Sequence, residues 1–138
     1  MIKKIHHVGV VVRDMEQAMR FWRDTLGLRV RKTRMIEEQG VNAALMTVGD
    51  SEIELLEPTV TDNGIARYLA SRGEGLHHVC FQVDSVDRDL EALKAKGVEL
   101  IDQAPRIGIA GRICFLHPRA MHGILVELCE PLDEPGGA

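Results

Sequence analysis

The chain says one thing twice. IHHVGVVVRDM at residues 5–15 and GLHHVCFQVDS at residues 75–85 each set two adjacent histidines at the start of an apolar run, then reach an acidic or hydroxyl residue able to open a helix. The match extends well past these segments: His7 recurs 71 residues on as His78, Gly27 recurs after 70 as Gly97, and Glu54 recurs after 73 as Glu127. The dipeptide Glu57-Pro58 likewise recurs after 73 as Glu130-Pro131, so the drift across one copy is three residues, the size of small loop insertions. A period near 70 is too long for a solenoid unit, and 138 residues hold only two copies. The duplication therefore predicts two modules in a pseudo-twofold arrangement that share one core.

Each copy has the same grammar. Residues 3–12 are rich in valine and isoleucine and read as a strand, after which Asp14 and Gln17 form a D-x-x-Q capping box. Met15, Ala18, Met19, Trp22 and Leu26 recur at spacings of three and four and predict a helix with one buried stripe, which Gly27 ends. Strands are predicted at 28–36, 41–48 and 52–57, with Gly49-Asp50 as the last turn. In the second copy Leu76–Val83 reads as a strand, and Ser85 caps a helix that carries Val86, Leu90 and Leu93 and closes at Gly97. Strands follow at 98–102, 112–117 and 124–129. Both copies read βαβββ, an α+β class. The expected layout is a single domain over 1–138, with module 1 at about 3–57, a connector at 58–74 holding a short helix at 64–71, and module 2 at about 75–130.

Composition excludes several functions. The net charge is -4 and no cationic stripe is present, which argues against nucleic acid as a partner. Hydrophobic residues at 45% and charged residues at 28% fit an ordinary globular chain. The opening MIKKIHHVGVVV has too short an apolar run for a signal peptide or membrane span, so no membrane partner and a cytoplasmic location are expected. Cys80, Cys114 and Cys129 lie in apolar runs without CxxC spacing and read as small core residues of a reduced compartment; a zinc site of thiolates is not expected.

Two kinds of polar residue stand at matched, otherwise apolar strand positions. Glu54 lies between Ile53 and Leu55, and Glu127 between Val126 and Leu128. A buried carboxylate there costs several kcal/mol in order of magnitude unless a cation or hydrogen bonds neutralise it. If the modules curl toward each other, the matched histidines and glutamates converge into a nitrogen and oxygen site for a divalent metal. One histidine of each pair then builds half a site. Strand alternation alone leaves His6 or His7, and His77 or His78, both open.

On these residues the chain resembles the vicinal oxygen chelate superfamily and, within it, the methylmalonyl-CoA epimerase family. The pieces that carry the resemblance are HHVGVVV at 6–12, EQGV at 38–41, GDSEIELLEP at 49–58, GEGLHHV at 73–79, PRIGIAGRICFLHP, and GILVELCE. The resemblance implies a glyoxalase-like fold whose curved mixed sheet surrounds a metal cleft. It selects His7, Glu54, His78 and Glu127 as ligands of a divalent ion, with cobalt first and zinc, manganese or nickel as alternatives. The implied reaction interconverts (R)- and (S)-methylmalonyl-CoA by removing and returning the C2 proton through a metal-stabilised enolate.

Within that implied reaction Glu127 is the first candidate for proton transfer and Glu54, its repeat partner, the second. Some epimerases carry a separate glutamate five residues after the glutamate of EQGV; this chain has Ala43 there, which leaves the second base open. Gln39 and the glycine-rich stretch 107–111, with Gly108 and Gly111, are expected to shape the pocket for an acyl-CoA substrate, although an ordinary strand connection explains the glycines equally well. His117 and His122 are assigned plain loop roles. A homodimer is implied as well. The rival readings are glyoxalase I, which shares a His-Glu-His-Glu shell, and a non-catalytic metal-dependent binding protein of the same superfamily. Ring-cleaving dioxygenases are disfavoured, because two glutamates crowd the open positions that iron(II) needs.

Overall fold

The structure is a computed structural model that describes residues 2–132. Its contacts divide the described residues into two compact units, one covering His7–His77 and the other residues 2–6 together with 78–132. Both cuts fall inside a His-His pair.

The His7–His77 unit holds the second half of β1 (Ile2–Val11), α1 (Met15–Met19), β2 (Arg29–Ile36), β3 (Val41–Val48), β4 (Ser51–Pro58) and α2 (Gly64–Arg72). Its strands run in the order β2-β3-β4-β1, antiparallel except that β1 lies parallel to β4. The Asp14 side chain accepts from the Gln17 N–H at 3.2 Å, as the capping motif predicts. Beyond Met19 the helix widens into a π-helical stretch, Arg20–Thr25, where the Leu26 N–H reaches back five residues to the Phe21 carbonyl at 2.9 Å. That widening rotates the later residues off the buried face. Met15, Ala18, Met19 and Trp22 pack against Val10, Val12, Ala44, Met46 and Leu55 as the stripe predicts, but Leu26 is 52% exposed and Leu28 packs in its stead. Gly27 takes the left-handed conformation that ends the helix.

The second unit repeats the plan with β5 (Gly75–Val83), α3 (Val86–Ala95), β6 (Arg106–Gly108), β7 (Gly111–Leu116) and β8 (Val126–Glu130). Its order is β5-β8-β7-β6, again with the first strand parallel to the last and the rest antiparallel. Val86 and Leu90 of α3 pack, with Leu93, against Val83, Cys114, Leu116, Val126 and Leu128. Each unit is a βαβββ module, and the α+β class stands.

One strand differs from the sequence reading. Residues 98–102 form no strand beyond a single bridge from Leu100 to Leu116. Asp102 interrupts the ladder, because its carboxylate takes the Phe115 N–H at 2.7 Å that a neighbouring backbone carbonyl would otherwise accept. Regular pairing resumes only after Pro105, at Arg106–Gly108.

A pair of carboxylates docks each helix on its sheet. Glu57, near the end of β4, accepts from the Met15 N–H at 2.9 Å, and Glu130, at the end of β8, accepts from the Val86 N–H at 3.0 Å. Each charge sits at the first residue of a helix, where free N–H groups and the helix dipole favour an anion. The repeated Glu-Pro dipeptide is thus a tertiary helix cap.

Candidate functional site

In the first module the register pairs Gly9 with Glu54 and Val11 with Leu56, which puts His7, Gly9, Glu54 and Leu56 on one sheet face. The opposite face carries Val10, Ala44, Met46 and Leu55 against α1. On the polar face the His7 Nε2 lies 3.6 Å from the Glu54 Oε1, with side-chain exposures of only 0% and 5%. Ala43, opposite Leu56, shares this face and is fully buried, so a methyl group stands where the family resemblance sought a carboxylate.

The second module builds the same couple. Cys80 pairs with Glu127 and Gln82 with Cys129, so His78, Cys80, Glu127 and Cys129 share a face, while Phe81, Val83 and Leu128 face α3. The His78 Nε2 stands 3.0 Å from the Glu127 Oε1, and both side chains are buried. Phe115, opposite Glu127 on β7, meets the His78 ring edge to face at 5.8 Å, and the Arg106 guanidinium lies over that phenyl ring at 5.3 Å. Phe115 and Arg106 escaped the sequence reading; the signal was the β7–β8 pairing, which sets Phe115 beside Glu127.

Of the two histidines in each pair, His7 and His78 are the ones beside a buried glutamate. The other two have different company. His77 is half-buried and packs its ring against Tyr68 at 5.0 Å. His6 is buried, and its ring nitrogen lies with the sulfurs of Cys80 and Cys129 in a group whose donor atoms are all within 4.8 Å of one another. The Cys129 thiol is lowered to about 6, first by its hydrogen bond with Cys80 and then by the bond and charge of His6, against the opposing effects of burial and Glu127. Cys114, on the helix side, is pushed up to about 12 by burial and by the negative charges of Asp102 and Glu127.

Each His-Glu couple, taken by itself, offers one imidazole nitrogen and one carboxylate oxygen in a dry setting. Donors of that kind fit a borderline divalent ion such as zinc or cobalt, and cation binding would offset the cost of burying the carboxylates. The chemistry of the donor set therefore fits the metal that the family resemblance implies.

The remaining predicted residues occupy connections. Gln39 is exposed in a 3-10 turn, Glu37–Gln39, and its carbonyl accepts from the Asn63 Nδ2 at 2.9 Å. Gly108 and Gly111 face each other across the β6–β7 hairpin. Gly111 is required for packing: at φ +122 a Cβ would stand 2.4 Å from the Glu130 carbonyl oxygen. His117 caps a short 3-10 turn by accepting from the Arg119 N–H at 3.1 Å, and His122 adopts φ 59 at its end, so both have the loop roles expected of them. An open cavity of about 380 Å³ lined by Val10, Gln17, Trp22 and Glu74 contains none of the four predicted ligands. Among the described residues no helix is long and apolar enough to cross a membrane.

The chain belongs to the Glyoxalase/Bleomycin resistance protein/Dioxygenase superfamily, whose sequence pattern matches residues 6–116. Within that superfamily it is 36% identical over 127 residues to the mitochondrial methylmalonyl-CoA epimerase of Mus musculus, a match covering 91% of this chain and 71% of the mouse protein. It is 34% identical over 131 residues to the ethylmalonyl-CoA/methylmalonyl-CoA epimerase of Cereibacter sphaeroides, covering 93% and 98% of the two chains. A solved structure of methylmalonyl-CoA epimerase in complex with methylmalonyl-CoA and ammonium matches with a TM-score of 0.91 at 38% identity, over 98% of this chain and 100% of that one. The fold is the one these epimerases have.

Proposed function

We propose that this chain is an isomerase that interconverts (R)- and (S)-methylmalonyl-CoA by moving the C2 proton. The observation that carries the reading is the repeated burial of a histidine beside a glutamate, His7 with Glu54 and His78 with Glu127, in a chain similar over nearly its whole length to epimerases of this substrate. The four side chains are proposed as ligands of one divalent ion, cobalt first, with zinc, manganese or nickel as alternatives. When bound, such an ion supplies positive charge for the enolate oxygens that form as the proton leaves.

The carboxylates carry the proton transfers. A hydrogen between a thioester and a carboxylate is moderately acidic, and inverting its carbon takes an acceptor on one face and a donor on the other. Glu127 is assigned the first role: it is buried with the His78 Nε2 3.0 Å from one of its oxygens, and burial removes the water that would compete for the proton. Glu54, at the matching repeat position, is assigned the second, since Ala43 has no ionisable group to offer. Gln39, Gly108 and Gly111 are proposed to border the acyl-CoA, with the two units working as one domain in a cytoplasmic homodimer.

Incubating metal-loaded protein with methylmalonyl-CoA in heavy water tests the reading. Rapid exchange of the C2 hydrogen is expected, whereas exchange no faster than in buffer would reject it. Turnover of the glutathione–methylglyoxal hemithioacetal without C2 exchange would favour a glyoxalase activity in its place.

A further inference from the structure

The first histidine of the first pair, His6, has work of its own. We propose that His6, Cys80 and Cys129 form an additional metal site for a soft or borderline ion of the zinc type, a donor set of different chemistry in which Cys80 stands opposite Glu127. The three donor atoms lie within 4.8 Å of one another, and His6, Cys80 and Cys129 are 9%, 0% and 0% exposed. Metal–sulfur bonds of about 2.3 Å and a metal–nitrogen bond of about 2.0 Å close such a group with small side-chain rotations. Thiolates beside an imidazole select zinc or copper(I) over the hard ions that carboxylates hold.

The expectation of no thiolate site rested on spacing along the chain, where Cys80 and Cys129 stand 49 residues apart. Strand pairing removes that distance: Cys80 sits opposite Glu127, so Cys129 lies on the same face two residues on. The repeat supplies a control inside the molecule. The positions that match Cys80 and Cys129 in the first module are Gly9 and Leu56, so the βαβββ frame does not require a thiol at either place. Two thiolates and a neutral imidazole on a divalent ion sum to no net charge, which a buried site accommodates far better than a bare ion. Binding moves no electrons: each thiol gives its proton to solvent and a sulfur lone pair to the ion.

Cobalt(II) titration of the reduced, metal-free protein tests the site without reference to activity. Two equivalents are expected to bind, and one of them develops the near-ultraviolet absorption of a thiolate-to-cobalt transition. The double variant Cys80→Ser, Cys129→Ser should lose that band and one equivalent, whereas Glu127→Gln should keep the band. No band in the folded native protein, or a band that survives in the double variant, overturns the proposal. Where the double variant does not fold, Cys114→Ser serves: the band must persist undiminished, and its loss overturns the assignment to Cys80 and Cys129. A protein that exchanges the C2 proton yet shows no band would sink this site and leave the epimerase reading standing.

Discussion

The two modules carry the same couple in different settings. His7 and Glu54 stand 3.6 Å apart beside Gly9 and Leu56 on their face; His78 and Glu127 stand 3.0 Å apart beside Cys80, Cys129 and Phe115. Identical strand order and register therefore do not make equivalent half-sites. The frame fixes where the imidazole and carboxylate stand, and the residues that share their face set the chemistry around them. In the first module those neighbours are Gly9 and Leu56 together with Glu52, opposite His7, whose carboxylate pairs with Arg31. In the second they are aromatic and thiol groups that orient the histidine and add donors.

This asymmetry makes Glu127 the residue whose loss should cost most. Glu127→Ala removes both a proposed ligand and a proton-transfer group, so C2 exchange should fall by about 10²–10⁴-fold, with metal lost on dialysis. Full activity in that variant would remove it from the mechanism. Glu54→Gln is gentler, because the amide keeps a ligating oxygen and loses only the ability to carry a proton. Metal content measured by atomic absorption should hold while exchange drops by about 10²-fold, the low end of what one general acid or base contributes. If metal and exchange both persist, the proton reaches the second face by another route, and the halves differ more than the repeat implies.

Much of this was legible before any coordinates. The offsets between His7 and His78 and between Glu54 and Glu127 pointed to four of the five buried polar side chains among the described residues, all but His6, because a repeat samples each strand position twice. The features that escaped depend on contacts that no local pattern carries. Leu26 misleads because the π-helical stretch adds a residue to the turn, and spacings of three and four then stop tracking one face. Residues 98–102 look like a strand, but the Asp102 side chain replaces a ladder bond. The proximity of Cys80 and Cys129 appears only once β5 lies beside β8. Glu-Pro was visible as a repeat, yet its purpose rests on a bond to an amide 42 residues away in one module and 44 in the other.

That last device offers the finest test of the comparison, since both modules use it with one difference. Glu130 accepts from the Val86 N–H, whereas Glu57 accepts from the Met15 N–H and also from the Asn42 Nδ2 at 3.2 Å. Replacing a side-chain cap by alanine costs about 1 kcal/mol, and a hydrogen bond to a charged group that is left without its partner adds about 1 kcal/mol more. Glu130→Ala should therefore lower the urea midpoint by the smaller amount and Glu57→Ala by about twice that, with catalysis little changed in either, because both carboxylates point to a helix. Asn42→Ala in the Glu57→Ala background should then add little, because the bond it would break is already gone. Equal losses from the two glutamates would mean that the Asn42 bond contributes nothing and that the caps, unlike the half-sites, are equivalent in strength.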